Sequence, residues 1–324
     1  MAGGVLVLME RLKGVVAEAG FEALGAGRSV ADALKIPLWA VLAGGPVPDP
    51  REWGAADGLL VLEDPSLEMP PPETVVGLLQ DLLKRKQASL VLVGGTNWAY
   101  GIGSQLAFRL KWPCVNFCKG CRVEGGAVVW TSQLLGGKIL AEVRLPDNRG
   151  VAVLYPGAFP AEAGRRQGAP PVEKVAGPVG SPRVTFKRYL EPPGGDVDIT
   201  RQDILVSVGR GIQSKDNIAL AEELARVLGG AVCASRPVVD QGWLPLTRQV
   251  GKSGMTVRPK LYLALGISGA PEHQEGMKGA SCIIAVNTDP GAPIFGTAHY
   301  GAVADCLELL PLLKDEVEKR KGGR

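Results

Sequence analysis

The sequence has no apolar run of 18 residues, so nothing in it predicts a segment that spans a membrane. The apolar run at residues 4–11 is too short for a secretory signal, and no basic stretch precedes it. We therefore expect this run to form a first β-strand of a cytoplasmic protein. In the absence of a signal, the six cysteines are expected to be free thiols rather than a disulfide framework.

Excess charge of one sign is also lacking. The net charge is only +3 over 324 residues, which argues against nucleic acid and anionic membranes as partners. A hydrophobic content of 46%, with 44 glycines and 25 prolines, favours a large core with many tight turns. A chain of this length is expected to form two domains.

The first half predicts an α/β domain. Apolar runs at 4–11, 38–45, 58–65 and 88–95 are typical of strands buried on both faces, and residues 74–87 have the period of an amphipathic helix. This alternation predicts a parallel sheet with helices on its faces. Three later segments are expected to add antiparallel strands, at 127–135, 138–145 and 151–159.

A polar segment rich in Pro and Gly, at about 160–195, is expected to connect two domains. The predicted domains are therefore residues 1–195 and 196–324. The second should be a small, doubly wound parallel sheet, with strands at 203–209, 231–234, 261–265 and 282–287.

Three helices are predicted in the second domain, of which one is a short helix at about 270–278. The first covers residues 214–230, with Ser214 as its N-cap and Gly229-Gly230 as its end. The third is a terminal helix broken near Pro311.

The ends of the predicted strands in the second half carry polar residues and glycines. These are Gly209-Arg210-Gly211, Ser235-Arg236-Pro237, the turn 266–270 and Asn287-Thr288-Asp289. Ligands of open parallel sheets bind beyond the carboxyl ends of the strands, so these residues form a credible rim for a nucleotide.

Histidine is rare, since the chain contains only His273 and His299. His273 follows the glycine-rich turn 266–270, in the first turn of a short helix expected at about 270–278. Glycines allow close approach of a ligand, and a helix start presents N–H groups to an anion such as pyrophosphate. A strand–helix turn without a ligand, and a structural histidine, fit the same pattern. No turn carries Gly-x-Gly-x-x-Gly, which counts against a conventional NAD site.

A series of motifs in the second half resembles the FAD domain of the electron transfer flavoprotein α subunits, a family that includes the FixB proteins. The motifs occur in the family's order: VGRGI, SRPVVDQGW, QVGKSG, LYLALGISGAPEH, AVNTDPGAPIF and YGAVAD. The resemblance is strong from 204 to 310 and looser in the first half.

The resemblance implies FAD as cofactor and a role for each matching residue. Arg210 would meet the FAD phosphates, Ser235 would bond the cofactor nearby, and Arg236 would lie over the isoalloxazine ring. The run along the ring would be Gln249, Val250, Gly251, Lys252 and Ser253, with Ser253 near flavin N5. The pyrophosphate cradle would comprise Gly266, Ser268, Gly269, Ala270, Pro271, Glu272 and His273. Asn287 and Asp305 would hold the adenosine end.

Two of these side chains would also tune the flavin. The resemblance places the Arg236 guanidinium and the His273 imidazole near its pyrimidine edge. A positive charge there would favour the reduced, anionic flavin.

The resemblance also implies an electron carrier that works with a β subunit and has no substrate turnover of its own. Electrons would come from an acyl-CoA dehydrogenase-type flavoprotein, as in fatty acid β-oxidation, and leave to a quinone- or ferredoxin-linked acceptor. An electron-bifurcating α subunit stays open as an alternative, as does a stand-alone NAD(P)-dependent oxidoreductase.

Four positions depart from the family pattern. Ser253 stands where many members have Thr, and Glu272 where Gln is usual, so Glu272 could hold His273 protonated or face water. His299 stands at a usual Asp, which puts the packing of the last turn in doubt. The segment 96–110, expected to be a loop, lacks a basic residue after its glycine.

Three cysteines, Cys114, Cys118 and Cys121, have the C-x3-C-x2-C spacing found in some iron–sulfur enzymes. Unligated thiols are the favoured interpretation, and a metal site is the alternative. If the segment is a strand, Cys114 and Cys118 should share one face and Cys121 the other.

Overall fold

In the computed structural model the chain divides into two compact units, residues 1–188 and 189–324. The structure describes residues 3–45, 49, 51–64, 68–176, 183–189 and 196–322. Much of the predicted connector, and the predicted boundary near residue 195, lie outside these residues, so the boundary stays a prediction. Among the described residues, no helix has both the length and the apolar character needed to cross a bilayer.

The first unit is built on a nine-stranded mixed sheet of order β11-β5-β4-β1-β6-β10-β7-β8-β9. A two-stranded antiparallel sheet, β2-β3, accompanies it. The strands are β1 Val5–Met9, β2 Arg11–Leu12, β3 Val15–Val16, β4 Leu38–Ala43, β5 Gly58–Leu62, β6 Leu90–Gly94, β7 Cys114–Glu124, β8 Ala127–Leu134, β9 Ile139–Arg144, β10 Gly150–Leu154 and β11 Val172–Lys174. The helices are α1 Glu18–Leu34, α2 Pro72–Lys86 and α3 Asn97–Leu110.

Helices cover both faces of this sheet, which explains why its central strands are continuously apolar. Residues of α1 pack into one apolar layer, and residues of α2 and α3 pack into the opposite layer. All five residues of β1 are buried, as are all five of β5 and of β6. The predicted α/β domain with added antiparallel strands is confirmed.

Two local predictions for the first unit are wrong. The segment 151–159 was expected to be antiparallel, but β10 lies between β6 and β7 and is parallel to both. Its residues are all buried without alternation, which is the pattern of a central parallel strand. The segment 96–110 is the helix α3, and the Thr96 hydroxyl caps it by accepting from Ala99 N–H.

The second unit is a five-stranded, fully parallel sheet of order β13-β12-β14-β15-β16. The strands are β12 Ile204–Val208, β13 Ala231–Ala234, β14 Leu261–Leu265, β15 Cys282–Asn287 and β16 Tyr300–Val303. The helices are α4 Ile218–Leu228, α5 Arg236–Asp240, α6 Pro271–Met277 and α7 Cys306–Gly322. The predicted doubly wound sheet is confirmed, and β16 is an edge strand that the sequence reasoning missed.

Two helix predictions are corrected here. Ser214 is not an N-cap, because α4 begins only after Asn217 and the backbone N–H of Ser214 bonds to Ile212 O in a turn. Pro311 does not break the last helix, since α7 runs through it. Cys306 and Leu310 are buried against the sheet on the same helix, and this packing outweighs the one lost N–H. Gly229, with φ +79°, ends α4 as predicted.

Candidate functional site

A cleft of about 980 Å³ opens at the carboxyl ends of the strands of the second unit. Strand β12 lies between β13 and β14, so the strand order reverses between β12 and β14, which is where open parallel sheets bind ligands. The cleft is lined by every residue assigned to the site from the sequence except Pro271. It is also lined by Gln213, Ala304 and Cys306, which the sequence reasoning missed. Ala304 and Cys306 directly follow the unpredicted strand β16.

Glycines are required where the loops after β12 and β14 touch. A Cβ on Gly211 would lie 2.6 Å from the Cα of Gly266, and Gly266 has φ +60°. Gly269 has φ +83°, and a Cβ there would lie 2.3 Å from Ile294 N. These distances leave no room for a side chain, so glycine is needed here for contact between loops.

A tight turn from Gln249 to Met255 forms one wall of the cleft. It is closed by a hydrogen bond from Met255 N to Gln249 O of 2.7 Å and joined to β13 by one from Val250 N to Ala234 O of 2.9 Å. The buried side chain of Gln249 crosses the turn, and its Nε2 donates to Ser253 Oγ at 2.9 Å. One lone pair of the Ser253 hydroxyl is thereby occupied within the turn.

The same turn packs directly on α6. Lys252 N donates to Glu272 O at 2.7 Å. Gly251 has φ +139°, and a Cβ on Gly276 would lie 2.4 Å from Gly251 N. Backbone therefore lies against backbone, which fixes the turn relative to the helix.

His273 is buried between this turn and the sheet. Its Nδ1 lies 3.1 Å from Val250 O and its Nε2 lies 3.0 Å from the Tyr262 hydroxyl. Burial lowers the pKa of His273 to about 4, so the imidazole is neutral at neutral pH. The expectation of a second cation at the flavin edge is therefore not supported. Glu272 is exposed and is not among the causes that set the pKa of His273.

Cations outnumber carboxylates around the cleft. The charged side chains that line it are Arg210, Arg236, Lys252, Glu272 and Asp305. Arg210 is exposed, and its guanidinium has no hydrogen bond or ion pair with any residue that the structure describes. Arg236 is 68% exposed and pairs with Asp240 one helical turn away, at 3.2 Å. This excess of positive charge suits an anionic ligand.

Asn287 and Asp305 hold the loops of the cleft in place. Asn287 donates from Nδ2 to Ile267 O at 2.9 Å and accepts from Asp289 N at 3.0 Å. Asp305 accepts from Leu307 N at 2.8 Å, at the start of α7. Ser235 is 7% exposed and stands at the N-cap position of α5.

His299 fits the position of the usual Asp without disturbing the packing. Its Nδ1 accepts from Ile283 N–H at 2.9 Å, and its own backbone N–H donates to Ile283 O at 2.8 Å. An imidazole acceptor thus ties the segment before β16 to β15. These two hydrogen bonds show how His299 is accommodated where the family usually has Asp.

The three cysteines of β7 are not grouped with other candidate ligands in the arrangement of a metal site. No group of three or more His, Cys, Asp or Glu residues is arranged to hold a metal in the described part of the chain. Burial raises the pKa of Cys114 and Cys118, and it raises that of Cys121 to about 11, so all three are thiols.

The predicted facing of these cysteines is wrong. Cys118 and Cys121 pack on the layer that contains α1, whereas Cys114 packs on the opposite layer. Phe117 has φ +54°, and the register shifts on both sides of β7 near Cys118. This irregularity interrupts the simple alternation of a strand.

Comparison with known proteins gives two domain matches. Residues 5–179 match the electron transfer flavoprotein domain, and residues 198–278 match the electron transfer flavoprotein FAD-binding domain. The chain is 36% identical over 329 residues to the electron transfer flavoprotein subunit alpha of Megasphaera elsdenii, covering 98% of this chain and 97% of that one. It is 36% identical over 319 residues to the protein FixB of Clostridium saccharobutylicum, covering 96% and 95%. The α subunit of Bacillus subtilis is 31% identical over 323 residues, covering 98% of each chain.

Proposed function

The chain belongs to the electron transfer flavoprotein α-subunit and FixB family, and we propose that its cleft holds FAD for electron transfer between a flavoprotein dehydrogenase and a downstream acceptor. The second unit carries the family's FAD-binding domain. Members of the family are electron transfer proteins rather than classical enzymes.

The residues of the cleft fit an adenine-linked dinucleotide. The volume of the cleft, about 980 Å³, is at the upper end of the range for small-molecule sites. The unpaired guanidinium of Arg210 stands at the strand end where the order of strands reverses, which suits a pyrophosphate. The bound cofactor would supply the electron chemistry itself, and the protein would bind and tune it.

We propose that three side chains of the cleft act on the bound cofactor. Arg210 holds negative charge at the strand end, and Arg236 adds a second cation, weakened by Asp240 and by its exposure. Ser253 offers its hydroxyl proton to the cleft, because Gln249 donates to its oxygen. The turn from Gln249 to Met255, fixed against α6, sets where that hydroxyl stands.

An α subunit implies a heterodimer with a β subunit. We propose an acyl-CoA dehydrogenase-type flavoprotein as electron donor and a quinone- or ferredoxin-linked protein as acceptor. Simple transfer is the favoured mode, and bifurcation is the alternative. The cytoplasmic location stays a prediction.

The observation that carries the proposal is the convergence of the predicted cofactor residues on one cleft at the reversal point of the sheet. The test is to co-express the chain with its β subunit and to measure flavin content and FAD affinity. We expect a yellow heterodimer, with Arg210→Ala weakening FAD binding about fivefold. Arg201→Ala is the matched control, since this exposed cation of the same unit lies outside the cleft. A heterodimer that stays colourless with excess FAD would contradict the proposal.

A further inference from the structure

A row of buried polar side chains crosses the sheet of the second unit, behind the cleft. Ser207 on β12, Cys233 on β13 and Tyr262 on β14 are each 0% exposed and do not line the cleft. The hydroxyl oxygens of Tyr262 and Ser207 are 2.7 Å apart, and the Cys233 thiol lies close to both. Their neighbours in this layer are apolar, so burying a phenol hydroxyl here costs free energy unless the hydroxyl is hydrogen-bonded.

The row continues to the cleft through His273. The Tyr262 hydroxyl lies 3.0 Å from His273 Nε2, and His273 Nδ1 lies 3.1 Å from Val250 O. Val250 belongs to the turn that carries Gln249 and Ser253 and lines the cleft. A chain of hydrogen bonds therefore links the centre of the sheet to the wall of the site.

Only one neutral form of this imidazole satisfies both nitrogens. A carbonyl oxygen can only accept, so Nδ1 must carry the proton that bonds to Val250 O. Burial keeps the pKa of His273 at about 4, so Nε2 is unprotonated and accepts from Tyr262. Either hydroxyl can donate in the 2.7 Å bond between Tyr262 and Ser207, so with the Tyr262 proton on Nε2 this bond takes the proton of Ser207.

We propose that Tyr262 is a positioning residue of the cofactor site, because it locks His273 as the neutral Nδ1–H tautomer and thereby holds the Val250 carbonyl and the turn from Gln249 to Ser253. Both nitrogens of His273 are used inside the protein, so the ring brings no positive charge and no free donor to the ligand. The effect of Tyr262 on the cofactor rests on the function proposed above. The tautomer of His273 can be tested without assuming that function.

The chain offers a direct test, because it contains only two histidines and they are predicted to be opposite tautomers. His273 should be protonated on Nδ1, whereas His299 accepts at Nδ1 from Ile283 N–H and should be protonated on Nε2. The heterodimer, with the chain labelled with ¹⁵N-histidine, should show one ring of each kind at neutral pH. His299→Asn assigns the signals. A doubly protonated or Nε2–H ring at His273, with or without added FAD, would overturn the proposal.

The positioning role is tested by Tyr262→Phe, which keeps the ring and removes only the hydroxyl. We expect the His273 ring to lose its fixed position, because Nε2 then has no donor, and the FAD dissociation constant to rise about fivefold to tenfold. His273→Asn is the matched variant, since an amide can still donate to Val250 O without Tyr262, and it should retain FAD better than His273→Ala. If Tyr262→Phe leaves the tautomer, the FAD affinity and the first reduction potential at the parent values, the role is refuted. A parent heterodimer that binds no FAD but shows the two tautomers refutes the proposed function alone.

Discussion

At the scale of single residues, the orientation of the Ser253 hydroxyl depends on Gln249. The Gln249 amide donates to Ser253 Oγ, so the serine proton is directed elsewhere, and the cleft is the polar space on its other side. Serine also lacks the methyl group of threonine, so packing does less to fix its rotamer. Gln249 is therefore expected to act on the ligand only through Ser253.

A double-mutant cycle tests this dependence. Ser253→Ala should change the first reduction potential by about 40 mV, the equivalent of one hydrogen bond of about 1 kcal/mol. Gln249→Glu should give a similar change, because a carboxylate would take the serine proton for itself. In the Ser253→Ala background, Gln249→Glu should add little beyond its charge, with Gln249→Ala as the neutral control. Fully additive effects in the redox titrations would contradict the idea.

The neutral state of His273 predicts a pH dependence of stability. Its pKa is about 4 in the folded chain and about 6.5 ordinarily, so the unfolded chain binds a proton first as the pH falls. Stability should therefore be full above about pH 6.5 and decline between there and pH 4, by about 3 kcal/mol from this residue. Denaturant unfolding at several pH values, compared with His273→Asn, isolates the effect. An identical pH profile in the variant would mean that His273 is not the cause.

At the scale of elements, the contact between the loops after β12 and β14 leaves no room for a side chain at Gly266. Gly266 and Gly229 both have positive φ, near +60° and +79°. A Cβ on Gly266 would lie 2.6 Å from the Cα of Gly211, whereas a Cβ on Gly229 would meet nothing within 4 Å. Alanine substitutions at these two glycines therefore separate the free-energy cost of the backbone angle from the free-energy cost of close packing.

We expect Gly229→Ala to lower the free energy of unfolding by about 1 kcal/mol, from the backbone angle alone. Gly266→Ala should cost clearly more, because the loops must move apart, and it should also weaken FAD binding. Chemical unfolding of both variants measures the difference. Equal losses would show that the loops adjust freely.

Some strands and most site residues could be predicted from the sequence, whereas others could not. Strands such as β6 and β14 are continuous apolar runs ended by glycine, and their pattern identified them. The antiparallel expectation for β10 failed because a short apolar run does not state the direction of its neighbours. The edge strand β16, with the sequence YGAV, was missed because it is mostly exposed. Most of the site residues came from motifs, whereas Tyr262 was missed because an apolar strand conceals a polar contact made through its hydroxyl.

At the scale of the whole molecule, the second unit is a doubly wound sheet with a ligand cleft at its reversal point, and the first carries helices on both faces of its sheet. The chain lacks the Gly-x-Gly-x-x-Gly turn of conventional NAD sites. These features favour the proposed carrier over a stand-alone NAD(P)-dependent oxidoreductase.

The heterodimer is therefore expected to contain one FAD and to show no reduction by NADH. Flavin released by denaturation, quantified against protein, gives the stoichiometry, and anaerobic mixing with NADH gives the second result. Reduction by an acyl-CoA dehydrogenase with its substrate serves as the positive control. Two flavins with rapid reduction by NADH would indicate bifurcation instead.

An imidazole that is sealed against the sheet and stays uncharged has a consequence for the living cell. An exposed histidine beside the cofactor would titrate near neutral pH and would turn small changes in pH into a changing driving force. Burial of His273 removes this sensitivity, because it keeps the imidazole uncharged at neutral pH. The electrostatic setting of the cofactor then depends on arginines, whose charge is constant across the physiological range.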